Sequence, residues 1–509
     1  MLDCSVCFCE SLPVTESAHR LALPVWCSLL CLVLVAFWLR WDVYPQTYFA
    51  DELIPRAVVK HMQASHSLDT NWENADWRGD YAGGFYRLKQ YNFSSYHTLL
   101  LVFRESANML GLRDVPDLVV YRAVSLLCQL ACLLLVFATA FRFAGATAGL
   151  LAAAFFAVMP QAVVDAHYAR PESFVMLLVA LAVWLAWRGY EGRRWQYGLA
   201  EAAIWGVAFA CKFSFFPMVI LAGAAQVFRF RRMGLLLLWC ASFILGVGIS
   251  APYILLDAPG FAHGIGLLLN QYAPHPDSAH WFDRLLPSAH DLFPYLNAFF
   301  SIPVLFLVAI SVFNRNKKSR CFSFASLLVS FFYVLLFARQ GVFFERNLSH
   351  LLPLWAVMFA LGFLEAFNLV RFRWYFWLLV VLFFLWPLYL SSQINGYFFR
   401  DMEAVKRNIY DYEDGIKKEF SAGKIIPFKM LGGTQINAIA AQDILRIPQH
   451  KLAGMEQVKT SVEQAGFRRV GRIGLPLSFL PYNQLQINHF PPEYTYYLRE
   501  TTVGEGAKP

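Results

Sequence analysis

Charged side chains are scarce in this sequence. Only 15% of its 509 residues are charged and 58% are hydrophobic, whereas a soluble domain carries about 25% charged residues. The ten cysteines all lie in the N-terminal tail or in apolar runs, so no disulfide framework is expected in the polar loops. The net charge of +8 is spread over short loops between apolar runs, which makes nucleic-acid binding a poor interpretation.

Long apolar runs dominate what is present, and each approaches the roughly 20 residues that cross a bilayer as a helix. They predict an all-α polytopic membrane protein with about 11 transmembrane helices. The first run is followed by Arg40-Trp41-Asp42 and not by a small-residue cleavage site, so it is interpreted as a retained anchor. The runs lie near 21–39, 118–141, 146–164, 173–187, 197–211, 213–228, 234–256, 295–313, 321–338, 350–370 and 374–390.

Basic residues in short loops mark the cytoplasmic side of a membrane protein. With the N-terminus inside, every basic cluster falls in a predicted cytoplasmic loop, so the helix count and the orientation support each other. These clusters contain Arg142; Arg188, Arg193 and Arg194; Arg229, Arg231 and Arg232; Arg315, Lys317, Lys318 and Arg320; and Arg371 and Arg373.

Three polar regions then face outward: a loop at about 40–117, a second loop at about 257–294, and the C-terminal region. The sequence therefore divides into a membrane domain, 1–390, and a small α/β domain outside the membrane, 391–509. The first loop contains a predicted interfacial helix and many aromatic residues, which suit an interfacial belt or a sugar-stacking surface. These aromatic residues include Trp72, Trp77, Tyr81, Phe85 and Tyr86.

Two adjacent carboxylates, Asp51 and Glu52, follow the first span on the predicted outer side, within Tyr-Phe-Ala-Asp-Glu-Leu. They suit either a solvated loop or a catalytic base held above the membrane. The catalytic interpretation requires that other outward charges converge there.

A short outward turn contains five polar or ionisable side chains between two apolar runs: Asp165, His167, Tyr168, Arg170 and Glu172. Ionisable groups at membrane depth are costly and usually face an interior cavity. An internal salt bridge from Asp165 to Arg170 is the plainer alternative.

Three more ionisable groups lie at predicted outer ends of spans. Lys212 separates two apolar runs with almost no loop between them, and it suits either snorkelling or binding of a lipid phosphate. Arg346 and His350 are four residues apart at the start of a later span, so an α-helix would direct both toward one site. Their alternative role is helix capping or an ion pair with Glu345.

Together these motifs resemble the GT-C glycosyltransferases of the family 39 type, which include protein O-mannosyltransferases and lipid A aminoarabinose transferases. The resemblance covers residues 20–390 and rests on order and side: Asp51-Glu52, an Asp-x-His-Tyr-x-Arg-Pro-Glu turn from Asp165, Lys212, and Arg-x-x-x-His-Leu-Leu-Pro from Arg346. The chain departs from the family where Tyr-Asn-Phe-Ser-Ser-Tyr-His at 91–97 replaces a Pro-Pro-Leu stretch, and where Asn follows the late arginine. These departures leave the sugar and the acceptor open.

The resemblance implies a GT-C fold and an inverting transfer from a polyprenyl-phosphate sugar to a protein, lipid or glycan hydroxyl, with no nucleotide sugar and no obligatory metal or other cofactor. It implies a catalytic group of Asp51, Glu52 and Asp165, in which Asp51 is the general base and Glu52 positions the loop or shares the proton. It implies donor-phosphate binding by Lys212, Arg170 and Arg346, and substrate binding by His167, Tyr168, Glu172 and His350.

Two other classes remain as alternatives. A polytopic transporter or flippase of a lipid-linked or small polar substrate would place its ionisable groups near the midplane, in broken helices and often in inverted repeats. The charges here cluster at one predicted face, and no internal repeat is present. A non-catalytic assembly or receptor protein leaves those charges unexplained. The expected location is a bacterial inner membrane, with the N-terminus cytoplasmic and the C-terminal domain periplasmic.

Overall fold

The computed structural model describes most of the membrane region and part of the C-terminal region. The predicted base Asp51 lies outside the described residues, as do Tyr81, Phe85 and Tyr86 of the aromatic loop. The described residues are 23–41, 52–77, 88–192, 194–230, 233–271, 273, 286, 288–340, 344–369, 373–396, 412–419, 425–427, 444–448, 462, 464, 467–474 and 493–499.

Helices account for nearly all of the described chain up to residue 396, and every predicted span coincides with helical structure. They are α1 (Leu23–Arg40), α2 (Leu53–Ser65), α3 (Ser94–Met109), α4 (Asp117–Ala157), α5 (Pro160–Ala166), α6 (Glu172–Gly192), α7 (Trp195–Cys211), α8 (Phe216–Phe230), α9 (Met233–Ser250), α10 (Pro252–Leu256), α11 (Ala258–Gln271), α12 (Ala289–Phe300), α13 (Ile302–Ile310), α14 (Lys317–Ala338), α15 (Leu352–Leu369) and α16 (Arg373–Gly396). A further helix, α17, covers 412–419.

The chain is an integral membrane protein. Within the described residues, six helices are long and apolar enough to cross a bilayer: α1, α4, α6, α9, α14 and the segment Glu345–Asn368. Large apolar side chains such as Leu237, Leu245 and Ile249 of α9 are exposed, as expected of a surface that faces lipid. The expected class, an all-α membrane protein with a small sheet, is confirmed, and the count of about 11 spans stays a prediction.

Helix α4 is long because it joins two predicted spans across a kink. Ala144 has a φ of −145° and Gly145 has a φ of +80°, a left-handed value that glycine adopts without strain. The helical directions before and after these two residues therefore differ, at the position where the sequence predicts a break between 118–141 and 146–164.

Polar contacts gather at the two ends of the helices. At one end, Glu191 of α6 pairs with Arg142 and lies 3.5 Å from Lys318 Nζ. Arg315 Nε lies 3.5 Å from a carboxylate oxygen of Glu365. The predicted cytoplasmic cations Arg142, Arg315 and Lys318 thus lie at helix ends opposite the predicted outward residues.

Arg40 fixes the C-terminal end of α1. Its side chain is 2% exposed and donates hydrogen bonds of 2.7 Å and 3.0 Å to the carbonyl oxygens of Ala157 and Phe156. These carbonyls belong to the last turn of α4, where the helix dipole favours a cation. The end of the first span is therefore joined to the segment that leads into the outward turn.

The first loop folds over its own aromatic residues. Trp72 and Trp77 are buried, and their indole nitrogens donate hydrogen bonds to the carbonyl oxygens of Asn92 and Trp72, respectively. They pack with Ile54, Val58 and other apolar residues of α2. The expectation that these two tryptophans lie at an interfacial belt or a sugar-stacking surface is therefore wrong. They form part of the apolar core that a compact loop needs.

The described part of the C-terminal region contains a four-stranded sheet. Strands β1 (Ile425–Pro427), β2 (Ile444–Pro448), β3 (Phe467–Gly474) and β4 (Glu493–Arg499) lie in the order β1-β2-β4-β3. β1 and β2 are parallel and the other pairs are antiparallel. Apolar residues of the sheet and of α17 share one core with α16 and the outward turn: Val163, Val164, Tyr168, Leu390, Ile394, Ile416, Ile444 and Tyr496.

Gly206 of α7 and Gly246 of α9 let the backbones of these two helices pack in direct contact. A Cβ on Gly246 would lie 2.1 Å from the carbonyl oxygen of Ala203, whereas a Cβ on Gly234, in the same helix, would meet nothing within 4 Å. We expect Gly246→Ala to lower the free energy of unfolding by about 1–3 kcal/mol through overpacking. Gly234→Ala should be neutral or slightly stabilising. Thermal unfolding of the detergent-solubilised variants measures both, and equal effects would contradict the packing described.

Candidate active site

The outward turn lies between two helices, α5 and α6, and a proline marks the start of each helix. Pro160 occupies the first turn of α5, where its missing N–H costs nothing, and α6 begins at Glu172 directly after Pro171. The intervening residues of the turn are almost completely buried. The charged side chains of this turn therefore face protein and not solvent.

Glu52 is held by a buried ion pair. Its two carboxylate oxygens accept hydrogen bonds of 2.9 Å and 2.8 Å from Nε and Nη2 of Arg122, and one of them also accepts a 2.7 Å bond from the backbone N–H of Ala169. Arg122 lies in α4 and Ala169 in the outward turn. Glu52 therefore joins the start of α2 to both, and its catalytic role stays a prediction.

Asp165 is buried in a hydrogen-bond network. Gln161 donates to one carboxylate oxygen at 3.0 Å, and the hydroxyl of Ser349 donates to the other at 2.5 Å. Tyr295 in turn donates to Gln161 at 3.0 Å. Burial raises the pKa of Asp165, and the charge of Glu172 acts in the same direction. The charge of Arg170 acts in the opposite direction on Asp165, while the Nε atom of Arg170 lies 4.0 Å from Glu172.

Three predicted phosphate ligands converge on Glu172. Lys212 Nζ and Arg346 Nε lie 3.4 Å and 4.0 Å from its Oε1, and Arg170 Nε lies 4.0 Å from its Oε2. The Lys212 ammonium also donates to Asn347 at 3.1 Å. Burial lowers the pKa of Lys212, and Glu172 opposes this effect. Residues far apart in sequence thus form one positive cluster, while their role as phosphate ligands stays a prediction.

Arg346 and His350 do not share a face. The segment Glu345–Leu351 is a 3-10 helix, in which residues three apart are aligned and residues four apart are not. Arg346 approaches Glu172, whereas the ring of His350 is surrounded by Phe215, Tyr333 and Phe337. The expectation that one α-helical turn directs both side chains toward one site was therefore wrong.

His167 and Tyr168 support the turn. The Nδ1 atom of His167 donates to the carbonyl oxygen of Val163 at 2.7 Å, and its Nε2 atom lies 3.1 Å from Oδ1 of Asn395 in α16. Burial lowers the pKa of His167 to about 4. The ring of Tyr168 lies 4.0 Å from the guanidinium carbon of Arg170. These contacts join both residues to the framework of the turn, and their substrate binding stays a prediction.

Several residues of the site were not singled out in the sequence. Arg122, Asn347 and Ser349 contact Glu52, Lys212 and Asp165, respectively. Arg122 carried a usable signal, since an arginine within an apolar run of spanning length marks a buried partner. The two small polar residues carried none, because such side chains are common at helix starts.

The Glu52–Arg122 pair provides a stability test. Arg122→Met leaves a buried carboxylate without its cation, which typically costs about 3–5 kcal/mol. Lys417→Met removes an exposed partner of Asp414 and should cost at most about 1 kcal/mol. Chemical unfolding of both variants gives the comparison. A loss for Arg122→Met no larger than that for Lys417→Met would contradict the anchoring role.

The family model for dolichyl-phosphate-mannose-protein mannosyltransferase matches residues 109–252. This segment contains Arg122, the whole outward turn and Lys212. No curated protein sequence matches the chain.

Two solved structures are similar to parts of this chain. ArnT from Cupriavidus metallidurans bound to undecaprenyl phosphate is 14% identical, with a TM-score of 0.47 over 67% of this chain and 60% of that chain. The oligosaccharyltransferase AglB from Archaeoglobus fulgidus, in complex with an inhibitory peptide and a dolichol-phosphate, is 11% identical, with a TM-score of 0.48 over 73% of this chain and 56% of that chain. The chain thus spans less than two thirds of either structure. The family model thus confirms the expected resemblance over residues 109–252 of the membrane region.

Proposed function

We propose that the chain is an inverting glycosyltransferase that moves a sugar from a polyprenyl-phosphate donor to a hydroxyl group of a protein, lipid or glycan. The observation that carries the proposal is the convergence of Arg170, Lys212 and Arg346 at one end of the helices. A lipid phosphate lies at headgroup level, where cations at helix ends can meet it.

The chemistry of the donor matches a surplus of positive charge. The donor phosphodiester carries one negative charge, and the departing polyprenyl phosphate is a monoester whose second pKa is about 6. Negative charge therefore grows on the phosphate as the sugar leaves. Cations held in a poorly solvated site stabilise that growth more than they stabilise the donor.

The transfer itself needs one base. The acceptor oxygen forms a bond to the anomeric carbon, the bond from that carbon to the phosphate oxygen breaks, and its electron pair departs with the lipid phosphate. The acceptor proton passes to the carboxylate of Asp51. Attack from the face opposite the phosphate inverts the anomeric carbon. Asp51 is assigned from the sequence, where it directly precedes the anchored Glu52.

The remaining residues hold the two substrates in position. Asp165, in its network with Gln161 and Ser349, orients the turn or the sugar, while Glu52, His167 and Tyr168 keep the turn in place. We assign the active end to the outer face of a bacterial inner membrane, where lipid-linked sugars serve the cell envelope. The alternative is a transporter or flippase, which predicts movement of a substrate without a new glycosidic bond.

Asp51→Asn tests the base. Transfer of radiolabel from a panel of polyprenyl-phosphate sugars to membrane acceptors should fall by at least about 100-fold, because the amide cannot take the proton. Asp414→Asn, which changes an exposed carboxylate of α17, is the matched control and should retain activity. Full transfer by a folded Asp51→Asn protein would remove Asp51 from the mechanism. Absence of transfer by the unaltered protein from every donor would favour the transporter alternative.

Lys212→Ala tests the phosphate site. The donor kcat/KM should fall by about tenfold or more, because a charge-assisted contact worth at least about 1.4 kcal/mol is lost. Lys318→Ala, which removes a cation paired with Glu191 at the opposite helix ends, should leave the donor kcat/KM unchanged. Initial rates at varied donor concentration measure both, and an unchanged donor kcat/KM for Lys212→Ala would contradict its assignment.

A further inference from the structure

Glu172 has an unusual position for a buried carboxylate. Its side chain is 3% exposed, and all three cations of the proposed phosphate site lie between 3.4 Å and 4.0 Å from its oxygens. A phosphate that binds these cations must therefore share them with Glu172 or displace it. The carboxylate occupies the charge environment that an anionic ligand would use.

The contacts of Glu172 differ from those of Glu52. Arg122 donates two hydrogen bonds of 2.8 Å and 2.9 Å to Glu52, and this bidentate geometry is strong and specific. The arginines near Glu172 stay at 4.0 Å, and within the described part of the chain its Oε2 atom has no hydrogen-bond partner. Glu52 is thus fixed by short hydrogen bonds, whereas Glu172 accepts one long hydrogen bond, 3.4 Å, from Lys212 and has longer ion-pair contacts with the two arginines.

The other acids near the cluster are arranged differently. Asp165 receives hydrogen bonds from Gln161 and Ser349 on its two oxygens. Glu345 is buried beside Arg346 and Arg170 and interacts with both electrostatically. Glu172 alone among these three acids has ion-pair contacts with all three cations in the described structure.

A site that only attracted anions would bind the reaction product too well. Three positive charges without Glu172 would favour the released monoester, which carries up to about two negative charges, over the singly charged donor. Because uniform tight binding does not raise turnover, a fixed negative charge among the cations would speed product release.

We propose that Glu172 is a built-in counter-ion that competes with the lipid phosphate for Arg170, Lys212 and Arg346. It thereby sets the affinity of the site for the released polyprenyl phosphate. This inference rests on the proposed function, since it assumes that the cation cluster binds that phosphate. It assigns Glu172 to control of phosphate affinity and not to sugar contact.

Glu172→Gln tests the inference by direct binding. Titration of the full-length, detergent-solubilised protein with farnesyl phosphate, followed by calorimetry, should give a Kd about tenfold lower than that of the unaltered protein. One opposing charge within contact distance changes an equilibrium by at least about tenfold. Inhibition of transfer by added farnesyl phosphate should strengthen by a similar factor. A loss of structure alone would weaken binding and could not produce this change.

Glu191→Gln is the matched control. Glu191 lies near the other end of the same helix and also contacts two cations, Arg142 and Lys318, so its substitution should leave the Kd unchanged. Glu172→Asp retracts the charge without removing it, and it should lower the Kd by a smaller factor. This variant decides the question if the neutral one fails to fold.

The outcomes separate the two proposals. Binding by the unaltered protein, with equal or weaker binding by both Glu172 variants, would overturn the counter-ion inference and leave the glycosyltransferase proposal intact. Absence of farnesyl phosphate binding and of sugar transfer in the unaltered protein would overturn both. Tighter binding by Glu191→Gln would show a general charge effect and would also overturn the inference.

Discussion

The buried pair of Glu52 and Arg122 is the constraint on which the rest of the site depends. It joins three parts of the chain, since Glu52 directly precedes α2, Arg122 belongs to α4, and the same carboxylate accepts a hydrogen bond from the backbone N–H of Ala169. Removing two charges from water costs more than their attraction usually returns. We therefore interpret the pair as a source of conformational specificity and not of net stability. It fixes the position of the segment after the predicted base, Asp51, relative to the turn that contains Arg170 and Glu172.

Beyond this anchor, the site gathers residues from helix ends that are distant in sequence. Lys212 follows α7, Glu172 begins α6, and Arg346 lies in the 3-10 helix before α15. When charged residues lie at the ends of membrane helices, their charges can reach the lipid headgroups while the apolar middle parts of the helices stay in the hydrocarbon region. Glu52 forms a bidentate pair with one arginine, whereas Glu172 contacts three cations. From this contrast we infer a structural role for Glu52 and a role in ligand affinity for Glu172.

Much of this arrangement was predictable because membrane helices have a strong apolar signal. The spans coincide with helices, and Lys212 stood out as a cation between two apolar runs. The pairing of Glu52 with Arg122 was not predictable from one sequence, because nothing local links residues separated by 70 positions. The relation of Arg346 to His350 failed for a local reason, since a 3-10 helix changes which residues align. Trp72 and Trp77 were expected at a surface, yet the long loop uses them as its own core.

The central claim is that a lipid phosphate binds among Arg170, Lys212 and Arg346. An electron cryo-microscopy structure of the protein with farnesyl phosphate tests it most directly. The account predicts phosphate density within hydrogen-bonding distance, about 3 Å, of Lys212 Nζ and of at least one of the two guanidinium groups, with the Glu172 carboxylate sharing or yielding its contacts. Phosphate density elsewhere, with the three cations still closed around Glu172, would contradict it.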